Sequence, residues 1–123
     1  MKEKIELYSR KLKDLSTEEL SRSAERLISL QRRNDAALIA HLVELSRRAG
    51  HLELGYRSVF YYCVEHLHLG ESSSWKRSQV AGVASRFPQV LEHLAQGKVN
   101  LSVLSILATH LTEENVDRLL KEA

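Results

Sequence analysis

The stretch SVFYYCVEHLHLGESSSWKRSQVAGVASRF, residues 58–87, decides how this chain reads. Ser58 can cap a helix through Val59, Phe60, Cys63, Val64 and Leu67, whose three- and four-residue spacing gathers apolar side chains on one face. Leu69-Gly70-Glu71 interrupts that pattern as a tight turn. Ser72 or Ser73 then caps a second helix carrying Trp75, Val80, Val83, Ala84 and Phe87. Pro88 stops it, because its ring clashes with the preceding turn, and suits the start of the next helix, where its missing amide hydrogen costs nothing. The spacing predicts two helices joined by a short turn.

The same periodicity extends in both directions. Upstream, Ile5, Tyr8, Leu12 and Leu15 predict a short amphipathic helix over 1–15. Ser16 followed by Glu19 is a capping box. A long helix is expected to start there, with Leu20, Ala24, Leu27, Leu38, Leu42 and Leu45 on one stripe, until Gly50 ends it in a left-handed conformation. The stripe weakens at Gln31 and Asn34-Asp35, which leaves one helix, a kink or two helices open over 17–49. HLELGY, residues 51–56, reads as a connector. Downstream, Val90, Leu91 and Leu94 mark a helix ended by Gly97. Another runs from about Asn100 through Leu104, Leu107, Ala108 and Leu111, and Thr112 opens a last one through Val116, Leu119 and Leu120. No run alternates polar and apolar residues with hairpin signals. The expected fold is all-α, a multi-helix domain with one long N-terminal helix. It reads as a single domain over 1–123, with amphipathic helices over 1–50 and a compact part over 51–123.

Composition narrows the function classes. The chain has 123 residues, a leucine-rich 43% hydrophobic fraction and one cysteine, Cys63, so no internal disulfide can form. No apolar run approaches the roughly 20 residues that span a bilayer, and the N-terminal MKEKIELYSR has no apolar signal core. A cytoplasmic location without membrane contact is the expectation. The net charge of +2 is too small to imply a polyanionic partner. Its distribution is more informative. Residues 1–50 hold 11 basic against 8 acidic side chains, 51–100 hold 5 against 4, and the remainder 2 against 4. Doublets at Arg32-Arg33, Arg47-Arg48 and Lys76-Arg77 matter if folding places them on one face.

Two helices with a tight turn, at 58–87, match a helix-turn-helix, in which the second helix enters the major groove of DNA. Its opening supplies suitable groups. Ser72, Ser73 and Ser74 offer hydroxyls, Lys76 adds charge, Arg77 can pair with a guanine edge, and Ser78 and Gln79 are polar contacts. Val80, Val83 and Ala84 are expected to face the first helix, leaving Ser74, Arg77, Ser78 and Ala81 near the outer face. Trp75 is expected as a core or half-buried anchor. The plainer alternative is a capped, solvated helix start in an ordinary bundle.

The quoted region, with LELGY (52–56), LHLGESSSW (67–75), RFP (86–88), LAQGKVNLS (94–102) and HLTEEN (110–115), resembles a helical domain found ahead of the catalytic module in bacterial HNH endonuclease-like proteins. The resemblance begins near STEEL at 16–20 and covers most of the chain. The middle region is also similar to the DNA-binding helices of ParB-type partition proteins, with Ser72, Ser73, Trp75, Arg77, Val90, Leu94, Gly97 and Lys98 at matching places. Both resemblances imply double-stranded DNA as partner, with Lys98 among the contacts. The second helix departs from the family, whose second helix is usually richer in arginine, in having Gln79 and Gly82 in its middle. Gly82 also lowers helix propensity by about 1 kcal/mol relative to Ala. No HNH block follows Ala123, so the expectation is a non-catalytic targeting portion or a free-standing relative.

Other chemistry finds little footing. His41, His51, His66, His68, His93 and His110 are scattered, and Cys63, His66 and His68 do not share one helix face, so no metal or other cofactor is expected. Cys63 reads as a small core side chain, and the glutamates at helix starts answer free amides. No small-molecule ligand is expected. Tyr61 and Tyr62 cannot both be buried on one side of a helix, which points to a partner surface or partial burial. The alternative to DNA binding is a protein-interaction or homodimerisation module on the long helix, burying Leu27, Leu38 and Leu45 between chains.

Overall fold

The computed structural model describes residues 10–123, whose regular structure is all helical, with no strand among them. Most of the expected amphipathic helix over 1–15 lies outside the described residues. What is described there is α1, Arg10–Lys13. The long α2, Thr17–Arg47, is continuous through Gln31 and Asn34-Asp35. The chain divides into two compact units, Met1–Gln31 and Arg32–Ala123.

In the first unit, α2 begins at the expected cap. The Glu19 amide donates to Ser16 Oγ at 3.1 Å, and the Ser16 hydroxyl donates to Glu19 Oε1 at 3.0 Å. The glutamate therefore accepts from the cap hydroxyl instead of reaching the cap amide, while Glu18 and Glu19 both oppose the helix dipole. Leu20, Leu27, Ile28 and Leu30 are all exposed.

The second unit holds the core. Of α2, Ala36, Ile39 and Leu42 are buried, so Leu42 alone of the expected stripe is fully in the core. Leu38 and Leu45 lie at its edge, partly buried against the core of their own chain. The helix ends at a left-handed residue, but this is Ala49 (φ 53°) and not Gly50. At Gly50 a Cβ would lie 2.8 Å from Leu45 Cδ2, so a larger residue there would require the Leu45 side chain to shift. The expected connector then forms a single turn, α3, Gly50–Glu53.

Ser58 caps α4, Val59–Tyr61, accepting from the Tyr61 amide at 3.2 Å. The helix widens into a π turn over Tyr62–His66, closed by the Leu67 amide donating to Tyr62 O at 3.2 Å. Here the Tyr62 and His66 rings stack at 5.0 Å, Tyr56 meets both edge-on, and its hydroxyl lies 3.1 Å from His66 Nδ1. Tyr61 and Tyr62 are consequently both half-buried, although an α-helical face would have accommodated only one.

Helix α5, Glu71–Arg86, packs against α4, α6 (Gln89–Ala95) and α7 (Leu101–Leu107). Its cap position is Gly70, without a side-chain cap bond, so neither Ser72 nor Ser73 starts it. Pro88 stands before α6, Gly97 ends that helix at φ 75°, and Asn100 caps α7 by accepting from Val103 N at 2.8 Å. Thr112 and Asn115 exchange bonds before α8, Val116–Glu122, the Asn115 amide donating to Thr112 Oγ1 and the Thr112 amide to Asn115 Oδ1. Ile39, Leu42, Val80, Val83, Val90, Leu104 and Leu120 are fully buried. Each such side chain contributes roughly 1.5–3 kcal/mol, which fixes α5 at the centre of this unit.

Candidate nucleic-acid interface

Two opposite faces of α5 do different work. The inward face is made of Ser74, Val80, Ala81, Val83 and Ala84, all buried. Ser74 and Ala81 were expected on the outer face; small side chains at these positions instead allow the helix to sit close to its neighbours. Ser74 is fully buried and its hydroxyl donates to Leu69 O at 3.4 Å, so it ties the turn to the helix and reaches no external ligand.

Arg77 is likewise turned inward. Its guanidinium bonds Asp35 Oδ1 at 3.0 Å and also Ser73 Oγ, with the two charged side chains only 16% and 22% exposed. Its Nε is buried without a partner. Arg77 therefore joins α5 to α2, a structural pair in place of the expected guanine contact. Asp35 has an uncommitted second oxygen in this arrangement, but no third charged group joins the pair among the described residues.

The outward face carries Trp75, Gly82, Ser85 and Arg86, with Ser78 and Gln79 half-buried at its edges. Trp75 is 49% exposed, so of the two placements expected for it, core or half-buried, it takes the half-buried one. Glu71 and Ser72, exposed in the first turn, complete the surface. A Cβ at Gly82 would meet nothing within 4 Å. The glycine thus sits mid-helix with no steric demand from its own chain.

Two recesses flank Gly82. One, of about 280 Å³, is lined by Ser46, His51, Arg57 and Ser58 opposite Ser78 and Ser85. The other, of about 410 Å³, lies between Gln79 and Arg86 on α5 and Ala108-Thr109. Arg57 lies over the Tyr61 ring at 4.3 Å, and Arg86 donates to Ala108 O at 3.2 Å while stacking on Phe87. An oriented guanidinium thus stands on each side of the helix, and neither has a carboxylate partner among the described residues. Lys76 is half-buried, also without one.

Lys98 belongs elsewhere. It lines a separate recess with Arg32 and Asp35, where the Arg32 guanidinium rests against Gly97 so closely that a Cβ would lie 2.6 Å from Nη1. Arg47 and Arg48 converge on Glu44, whose pKa their hydrogen bonds lower from 4.5 to about 2. Of the expected contacts, Ser72, Lys76, Ser78 and Gln79 remain available, Ser73 serves Arg77, and Ser74 and Arg77 face inward. Missing from the sequence reading were Arg57 and Arg86, the basic groups beside α5, because neither stands in a doublet.

Cys63 is buried, and burial pushes its thiol pKa up against the opposing effect of Arg77. No group of three metal-ligating side chains occurs among the described residues. His41 and His93 bond main-chain oxygens one helical turn back. Comparison with known protein families, with curated proteins and with solved structures found no match to this chain.

Proposed function

We propose that this chain is a DNA-binding module in which α4 and α5 act as a helix-turn-helix and the outward face of α5 meets the duplex. The observation that carries this reading is the pair of oriented guanidiniums, Arg57 and Arg86, on either side of an accessible helix. A recognition helix needs groups that reach base edges and flanking cations that hold phosphates. Gln79 supplies an amide able to bond adenine at two points, Ser72 and Ser78 supply hydroxyls, and Trp75 supplies an aromatic plane. Gly82 permits close approach of the sugar–phosphate backbone. The resemblance to domains preceding HNH modules and to ParB-type helices points to the same partner, with this chain as a targeting portion or free-standing relative that does no chemistry of its own.

The test is fluorescence anisotropy with random and degenerate-site duplexes at two salt concentrations. The wild type is expected to bind with a Kd that rises steeply with salt. Gln79→Ala is expected to weaken the preferred duplex by about tenfold, near 1.4 kcal/mol, and to flatten sequence preference. Binding that is absent at low salt sinks this reading.

A second reading draws on the first unit. Leu20, Leu27, Ile28 and Leu30 expose 38–59% of their surface along α2. Such a run suits a helix of another chain, including a second copy, and sedimentation velocity of Leu27→Gln against wild type separates the two readings: dimer loss with DNA binding intact assigns only association to this helix.

A further inference from the structure

We infer that the recess beside Gly82, between the α3–α4 segment and α5, seats a phosphoryl group, and specifically a backbone phosphate of the duplex lying along α5; the inference rests on the DNA-binding reading for the source of that phosphate. The recess holds about 280 Å³, the share of liquid volume of roughly nine waters. That is small for a drug-sized ligand but ample for a phosphate and its ester oxygens.

Its chemistry is one-sided. Arg57 supplies a permanent positive charge, oriented by Tyr61 beneath it. Ser46 and Ser78 line it, and no hydrogen bond engages either hydroxyl among the described residues. Ser58 accepts from Tyr61 N and keeps its proton to donate. Only the Ser85 hydroxyl is already committed, donating to Gly82 O at 2.7 Å. No carboxylate lines the cavity.

His51 adds an independent sign of an external ligand. Its Nδ1 is buried and has no hydrogen-bond partner among the described residues, a state that costs free energy unless something supplies the missing bond. Nδ1 is closed to solvent, so the ring must turn within the recess for a protonated Nδ1 to donate to an anion oxygen. Ser46, Ser58, Ser78, His51 and Arg57 thus line one small volume, and tetrahedral oxyanions present enough acceptors to meet such donors. The open space at Gly82 completes the fit, since any larger side chain would project from the helix where the ester bonds must pass.

The experiment combines two readouts on the whole chain. Amide chemical shifts are followed during titration with inorganic phosphate, against chloride at equal ionic strength, and duplex binding is measured over a salt series for wild type, Arg57→Ala and Ser78→Asp. Circular dichroism confirms that each variant is folded. Expected are phosphate-specific shifts at Ser58, Ser78 and Gly82, about tenfold weaker duplex binding in Arg57→Ala, and a salt slope lower by about one. Ser78→Asp is expected to lose both signals. Duplex binding with an unchanged slope in Arg57→Ala and no phosphate shifts overturns the recess while leaving α5 as the DNA contact. Phosphate shifts without duplex binding support the phosphoryl seat, overturn the duplex as its source and fail the DNA-binding reading. Absence of both overturns the recess and that reading together.

Discussion

Arg77 illustrates how one side chain can mislead. Beside Lys76 at the start of a helix it reads as a free cation, yet its partner Asp35 lies on α2, distant in sequence and adjacent in space. Removing it leaves Asp35 as a largely buried, unpaired charge. Arg77→Ala is expected to destabilise by about 3 kcal/mol, read as a thermal midpoint lowered by more than about 10 °C, with Asp35→Ala/Arg77→Ala milder than the sum of the single changes. Duplex affinity corrected for the unfolded fraction is expected to stay within about twofold of wild type. Cys63 gives a second check at this scale. With its thiol buried and its pKa raised, labelling by a thiol reagent at neutral pH is expected to be slow in the native state and fast in denaturant. Glu44 gives a third. Hydrogen bonds from Arg47 and then Arg48 hold its pKa near 2, below the ordinary 4.5. Its contribution to stability is therefore present above pH 4.5 and is lost as pH falls toward 2, and Glu44→Gln is expected to flatten that part of the acid unfolding curve.

For the helices, the most informative position is Gly82. Replacing it by alanine meets no atom of the chain, so Gly82→Ala is expected to raise stability by about 1 kcal/mol while weakening duplex binding, a split that a purely structural glycine would not give. Gly97→Ala is expected to do the reverse of the first effect, losing stability, because φ is 75°, a left-handed conformation costly for a residue with a Cβ. Much at this scale was legible beforehand: the helix start at Ser16, the cap at Ser58, the helix beginning near Asn100, the Pro88 stop and the Gly97 end are local signals read within one turn. The orientation of α5 was not. Its inward face uses Ser74 and Ala81 as well as valines, so hydrophobicity barely distinguishes the sides. The π turn and the left-handed Ala49 were hidden for a related reason, since tertiary packing around Tyr56, His66 and Leu45 selects them over the local preference. The outward site was legible only in part: Gln79 and Ser78 were anticipated, whereas Arg57 joins them through folding alone.

Across the whole chain, burial is unequally shared. No side chain of α2 before Ala36 is buried, whereas the second unit carries the whole described core. Amides over 18–30 are therefore expected to exchange with solvent faster than those of Ile39, Leu42, Val80 and Val83, as measured by native-state hydrogen exchange. The π turn at 62–66 has a further consequence for how this sequence can change length. It holds one residue more than the α-helical turn it replaces. Deleting the exposed Glu65 would let the segment close as an α-helix, yet everything upstream of it would then be turned by about 100° against α5. Tyr62 would leave the His66 ring, and Arg57 would swing away from Ser78. A single-codon deletion of this kind, harmless in most surface loops, would here be expected to preserve helix content while disassembling the recess, so the count of residues between Arg57 and Ser78 is as binding a constraint as their identity.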